Sequence, residues 1–269
     1  MSVGYHIVVC GSLVPDPLQT LEPVETPSGP GLRNEAMLPA VLDPWAAHAL
    51  YEAANLAKDT PDSRVWLVSL GPKAKLQQLM MSVAQKAPFD LVALDGSAGG
   101  FTDAHETANA LADAIQQIEG LDHTRLLLFG GWASASRDAG VTLHMVGERL
   151  GIHDQFAGVD QLNPLPDGSF TVKERIEGGQ YQVSRCAGPP ALLAWATGNL
   201  PEPPNNPQVG MANMRGVMPA LQRSKPVAIT VGDVAFGKVE SPKQRRDTRV
   251  VKDVPPEDIA RELAEWVRG

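Results

Sequence analysis

Short apolar runs alternate with amphipathic segments along most of the chain. Continuous apolar runs of this length are typical of parallel strands that are buried on both faces of a sheet. The runs are His6–Val9, Val65–Leu70, Leu91–Leu94, Arg125–Phe129, Ala191–Ala196 and Val227–Val231. We therefore predict a strand at each of these positions.

Segments with helical periodicity separate most of these runs. Their apolar residues recur every three or four positions and so share one face of a helix, and Thr102 precedes one segment as a predicted N-cap. The predicted helices span residues 43–58, 73–85, 103–118 and 139–150. Strands that alternate with helices predict a three-layer α/β/α fold with a mainly parallel sheet.

The alternation breaks in the last third of the chain. Residues 169–177 and 180–186 are rich in β-forming residues and flank Gly178 and Gly179, which predicts a β-hairpin with a two-residue turn. The irregular, proline-rich stretch 197–210 (TGNLPEPPNNPQVG) is typical of a linker or a binding loop.

A charged stretch over residues 238–253 precedes a last amphipathic helix, predicted over Pro255–Val267. Its apolar side packs either on another surface or back on its own sheet. We expect one α/β nucleotide-binding domain over residues 1–235 and an extended C-terminal arm over 236–269 that ends in this helix and docks on a partner.

The segment Leu126–Leu150 (LLLFGGWASASRDAGVTLHMVGERL) carries the clearest candidate chemistry. An apolar strand runs into a Gly/Ser-rich loop, and the loop leads into an amphipathic helix. This arrangement turns backbone N–H groups and the positive end of a helix dipole toward one place. It predicts an anion site, most commonly for a phosphate.

Net charge, hydropathy and cysteine content argue against several classes of function. The 269 residues carry a net charge of −8, which argues against a nucleic-acid partner, and no run approaches the roughly 20 apolar residues of a membrane span. The N-terminus has no basic secretory region, so we expect no secretory signal. The two cysteines lie far apart in sequence, so we expect neither a disulfide nor a metal site, and a location in the reducing cytoplasm. The sequence has no nucleophile elbow and no paired acid and base in one motif, so no catalytic residues are predicted.

Five segments follow one another in the order and spacing of a known family. They are CGSLVPD at 10–16, LDPWAAHALYEA at 42–53, VSLG at 68–71, the loop and helix with Asp138, Thr142 and Leu150-Gly151, and the hairpin segment 171–197. Over residues 10–220 the chain resembles the β subunit of electron transfer flavoproteins (the FixA-like family), as a divergent member. Gly140 and Val141 replace the family's typical Asn and Gln, and Ser136 and Arg137 replace two acidic residues.

The resemblance implies an electron carrier and not an enzyme. In this family an α and a β subunit form a heterodimer that carries electrons from a flavin dehydrogenase toward an electron transfer flavoprotein–quinone oxidoreductase, meeting both transiently. FAD is held mainly by the α subunit, and the β subunit completes its site and binds a structural AMP. The cofactor performs the redox chemistry, so the protein needs only to position it.

The resemblance also assigns site residues. Trp45 is expected near the FAD of the α subunit. The residues expected to bind AMP are Cys10, Ser69, Leu70, Asp138, Ala139, Gly140, Val141 and Thr142. The residues expected to contact the partner dehydrogenase are Leu200, which aligns with an exposed leucine of the family, and Pro201, Glu202 and Pro203.

Three alternatives remain open at this point. In an electron-bifurcating form, a second FAD replaces AMP. An ATP-pyrophosphatase-like enzyme of the adenine-nucleotide α-hydrolase type shares the architecture, and GGWASAS at 130–136 is similar to its S-G-G-x-D-S loop, although the Asp is missing and the loop follows the fourth strand, not the first. The third alternative is an adenine-nucleotide-binding sensor without redox function.

Overall fold

A computed structural model describes residues 4–26, 29–97, 101–136, 140–229, 232 and 250–268. The chain divides into two compact units, Met1–Lys238 and Val239–Gly269. The first unit contains the sheet and the candidate site.

Nine strands of the described residues form one sheet in the first unit. They are β1 His6–Cys10, β6 Arg64–Gly71, β7 Asp90–Gly96, β8 Leu126–Gly131, β9 Asp154–Pro164, β10 Phe170–Arg175, β11 Tyr181–Cys186, β12 Ala191–Trp195 and β13 Lys225–Val227. Their order in the sheet is β11-β10-β9-β12-β8-β1-β6-β7-β13. Seven of them run parallel, from β9 to β13, and β10 and β11 continue the sheet antiparallel as a hairpin. The mainly parallel sheet predicted from the sequence is confirmed.

Helices cover both faces of this sheet, which confirms the three-layer fold. The helices are α1 Pro44–Asp59, α2 Lys73–Val83, α3 Ala104–Gln116, α4 Val141–Arg149 and α5 Pro207–Arg223. On one face α1, α2 and α5 pack against a core that includes Ile7, Phe129 and Trp195, and on the other α3 and α4 pack against a core that includes Val8 and Leu128. Alternate residues of one strand thus enter opposite cores, as the pleat requires.

Two small antiparallel ribbons lie outside the main sheet. They pair β2 Leu13–Pro15 with β5 Ala40–Leu42, and β3 Pro23–Thr26 with β4 Gly29–Leu32. The pairing of Leu13 with Leu42 brings the segment after β1 next to the start of α1. The sequence did not predict these ribbons.

Some predicted details are wrong. Asp103 caps α3 in place of Thr102, because its carboxylate accepts the His105 backbone N–H at 2.8 Å. The hairpin turn is longer than the two glycines: β10 ends at Arg175, β11 begins at Tyr181, and a 3-10 turn at Glu177–Gly179 lies between them. β13 begins at Lys225, two residues before the predicted strand, and residues 230–231 of that prediction lie outside the described residues.

In the second unit, the described residues form one helix, α6 Pro256–Arg268. Glu257 and Asp258 lie in its first turn and Arg268 in its last turn, so the charges at both ends interact favourably with the helix dipole. Its apolar residues Leu263, Trp266 and Val267 are exposed. The division into a domain at 1–235 and a docking arm at 236–269 remains a prediction. In the parts of the chain described here, every helix is too short or too polar to cross a membrane.

Candidate functional site

The strand order places a crevice at the ends of β1 and β8. From β1 the chain moves outward through β6 and β7, and then returns to the other side of β1 to form β8. Loops that leave the carboxyl ends of two such strands diverge to opposite faces, which opens a crevice between them, and α/β proteins commonly bind ligands there.

A cavity occupies this crevice. The backbone after β1, the start of α1, the end of β8 with its following loop, the beginning of α4 and one side of α3 form its walls. Residues that line it include Cys10, Gly11, Ser12, Leu13, Asp43, Ala46, Val68, Leu70, Thr107, Leu111, Gly130, Gly131, Ala133, Ser134, Ser136, Gly140, Thr142 and Leu143. Many of these residues are glycine, alanine or serine, so a ligand can approach the backbone closely.

The start of α4 contributes backbone N–H groups and a hydroxyl to this cavity. Gly140 is the N-cap residue and Thr142 lies in the first turn, and both line the cavity. The first N–H groups of a helix have no partner within the helix, and they lie at the positive end of its dipole. This end of the cavity can therefore bind an anion, with the Thr142 hydroxyl as an additional donor.

The backbone packs against Gly140 too closely for any other residue. A Cβ atom added at Gly140 would lie 1.8 Å from the backbone oxygen of Trp132. The backbone N–H of Trp132 donates to the Trp195 oxygen at 3.0 Å, which ties this loop to the end of β12. The missing side chain at position 140 thus allows the loop after β8 to close against the start of α4.

Asp43 is a buried carboxylate in the cavity wall, with a side chain that contacts two segments. Its Oδ1 accepts the Trp45 backbone N–H at 3.1 Å and caps α1, and its Oδ2 accepts the Ala135 backbone N–H at 2.9 Å. Its own N–H donates to the Ser12 oxygen at 2.9 Å. Burial raises the pKa of Asp43, and the hydrogen bonds to its carboxylate partly offset this effect.

The structure brings four of the predicted AMP residues together around the cavity: Cys10, Leu70, Gly140 and Thr142. Burial raises the pKa of the Cys10 thiol to about 12, so it is an uncharged lining group and not a nucleophile near neutral pH. These positions agree with a ligand site at this crevice, and the binding role of each residue stays a prediction.

The other predicted residues that the structure describes are not among those that line this cavity. Ser69 is fully buried, and its hydroxyl donates to the Gly11 oxygen at 2.7 Å, so it stabilises the backbone of the cavity wall without lining the cavity itself. Val141 is exposed and lies in a separate surface groove with His144. Trp45 is partly buried, with its Cβ against Gly131. Asp138 and Ala139 lie outside the described residues.

The predicted partner loop is fixed at both ends. Glu52 Oε1 accepts the backbone N–H groups of Asn199 and Leu200 at 2.8 and 3.3 Å, and burial raises the pKa of this carboxyl. At the other end, Lys86 forms an ion pair with Glu202 at 2.7 Å and donates to the Pro203 oxygen at 3.0 Å. Leu200 is partly buried, so it is less exposed than the resemblance implies, whereas Pro201 and Glu202 are exposed.

Sequence reasoning missed Asp43 and Glu52. The Asp-Pro pair at 43–44 is a recognisable start of a helix, because Asp is a good N-cap and Pro fits the first turn. Nothing in the sequence indicates the second bond of Asp43, to a residue 92 positions later. No group of three or more His, Cys, Asp or Glu side chains in the described parts of the chain is placed to hold a metal ion.

Comparison with known proteins gives two matches. Residues 34–236 match the family model described as "Electron transfer flavoprotein domain". The chain is also 27% identical over 254 residues to the protein named "Electron transfer flavoprotein subunit beta" from Megasphaera elsdenii, and the match covers 90% of this chain and 86% of that protein. The family match includes most of the cavity wall and the whole loop after β12.

Proposed function

The chain belongs to the electron transfer flavoprotein family, and from that premise we propose that it is the β subunit of a heterodimeric carrier with a structural AMP. It would complete the FAD site of an α subunit and carry electrons from a flavin dehydrogenase toward a quinone oxidoreductase. Membership of this family makes it an electron transfer flavoprotein subunit; the cofactors and partners are the proposal.

The cavity at the ends of β1 and β8 is the observation that carries the proposal. Its residues fit an adenylate, because the start of α4 offers the N–H groups of a helix N-terminus to a phosphate and the small side chains leave room for close approach. Leu70 and Leu111 give the cavity an apolar surface suited to a base. In this assignment the AMP phosphate lies at Gly140 and Thr142.

FAD, when bound between the subunits, supplies the redox chemistry of the complex. The residues of this chain would orient it and shield it from water. Trp45 is the proposed contact, because its indole lies at the start of α1 and a flat ring packs well against a flavin. Residues 200–203, held by Glu52 and Lys86, would present a rigid surface to the dehydrogenase at low entropic cost.

The decisive experiment is to co-express the chain with an electron transfer flavoprotein α subunit from the same organism. The purified complex is denatured in acid, and the released nucleotides are separated and counted. We expect a yellow heterodimer that releases one FAD and one AMP. Two FAD would indicate the electron-bifurcating form. A colourless protein that binds no α subunit, or one that consumes ATP, would contradict the proposed carrier function.

A further inference from the structure

Asp43 joins three walls of the proposed nucleotide cavity. Its backbone N–H bonds the segment after β1 at Ser12, its Oδ1 caps α1, and its Oδ2 bonds the loop after β8 at Ala135. Its side chain is almost completely buried, with 1% of the residue exposed. These three segments are far apart in sequence, and each of them forms a hydrogen bond with Asp43.

A helix cap alone does not require this arrangement. One oxygen is enough to cap a helix, and serine does so about as well as aspartate. Here the second oxygen accepts the Ala135 N–H, in the loop after β8 whose Ser134 and Ser136 line the cavity. Burial of a carboxylate is unfavourable unless hydrogen bonds compensate it, and the bond that compensates the second oxygen also connects the start of α1 to the loop at Ala135.

Asp43 is also poorly placed to be a ligand of the phosphate. Its negative charge repels an anion, and both of its oxygens already accept backbone N–H groups. Any effect on the nucleotide therefore acts through the loop, at Ala135 and the neighbouring Ser134 and Ser136 that line the cavity.

We propose that Asp43 is a positioning residue that holds the loop after β8 at the distance from α1 that an adenine nucleotide requires. This inference rests on the proposed function, because it needs a nucleotide in the cavity. Loss of the Oδ2 bond would let the loop move, and the bound nucleotide would then lose contacts on that wall. The cap on α1 is a separate contribution that a suitable substitution can preserve.

Asp43→Ser separates the two contributions. Serine retains the cap on α1, but its side chain is too short to reach Ala135 as well. Asp43→Asn is a second variant of almost unchanged shape, in which one oxygen can cap the helix and the amide NH₂ faces the Ala135 N–H without accepting it. Asp122→Ser is the matched control, because Asp122 caps the short turn before β8 through the Thr124 N–H, at the opposite end of that strand.

The test uses the full-length chain in complex with its α subunit, stripped of AMP and titrated with AMP by calorimetry. We expect Asp43→Ser and Asp43→Asn to bind AMP about tenfold more weakly, the effect of losing one hydrogen bond to a charged group. Without AMP, their melting temperatures should stay within a few degrees of the wild-type value. Asp122→Ser should bind AMP as the wild type does.

The outcomes separate the two proposals. If the wild-type complex neither contains AMP nor binds it, the proposed function is wrong and the positioning role is wrong with it. If the wild type binds AMP and both Asp43 variants bind it equally well, only the positioning role is wrong. A loss of AMP binding that merely follows a general loss of stability in both variants would also overturn it, because that is the effect of a simple helix cap.

Discussion

Replacing Gly140 by alanine tests whether the loop after β8 closes against α4 as the structure shows. Gly140 has φ −107° and ψ 16°, a conformation that alanine can adopt, so backbone strain is not the issue. The added Cβ would lie 1.8 Å from the Trp132 oxygen, and real Cβ contacts are essentially never below 3.0 Å. The loop must therefore move by about 1 Å.

The size of the effect follows from what holds Trp132 in place. Its N–H donates to the Trp195 oxygen at 3.0 Å, so the loop cannot withdraw without straining the connection to β12. Overpacking of a close contact typically costs about 1–3 kcal/mol. For a domain of this size that corresponds to a melting temperature lower by about 2–10 °C.

The assay is thermal unfolding followed by circular dichroism, with Gly216→Ala as the control. Gly216 is exposed within α5, and an added Cβ there meets no atom within 4 Å. Its replacement should leave the melting temperature unchanged or raise it by a few degrees, because alanine favours the helix by up to about 1 kcal/mol. If Gly140→Ala melts at the wild-type temperature, or if both variants lose stability equally, the close approach of Trp132 is refuted.

Two further predictions concern Glu52 and Cys10, which are both partly buried. Glu52→Ala should raise the hydrogen-exchange rates of the Asn199 and Leu200 amides at least severalfold, because the acceptor of both N–H groups is lost. Glu52→Gln keeps an acceptor oxygen and should retain most of the protection. Equal protection of these amides in both variants would show that Glu52 does not fix the loop. The pKa of Cys10 is raised to about 12, so the thiolate is scarce until the pH approaches that value, and iodoacetamide at pH 8 should modify Cys10 far more slowly in the native protein than in urea. Rapid labelling of the native protein, located by mass spectrometry, would contradict this.

The central strands could be predicted from sequence because both faces of each are buried. β6 and β8 consist of apolar residues with few interruptions, and in a chain with alternating helices such a run is typical of a central parallel strand. β9 was missed because its exposure is mixed and its sequence DQFAGVDQLNP has no clear period. α5 was missed because Gly210, Gly216 and Pro219 lie within it, and these residues ordinarily argue against a helix.

The candidate site was predictable only in its local part. A Gly/Ser-rich loop between a strand and a helix is visible in the sequence, and the start of α4 does line the cavity. The contacts that shape the cavity connect distant segments, such as Glu52 with Asn199 and Asp43 with Ala135. Such pairs could not be predicted, because the local sequence around each residue does not indicate which distant residue it contacts in the folded chain.

Two residues at the starts of helices act on the same loop. At Gly140, the Trp132 oxygen occupies the space that any side chain at this position would need. At Asp43, the carboxylate has two oxygens to accept N–H groups where an amide has one. The loop is therefore shaped by a missing side chain at the start of α4 and by a carboxylate at the start of α1. Neither residue can be replaced by asparagine without a structural change, because Asn at 140 would require Trp132 to move, and Asn at 43 has one oxygen for the two N–H groups of Trp45 and Ala135.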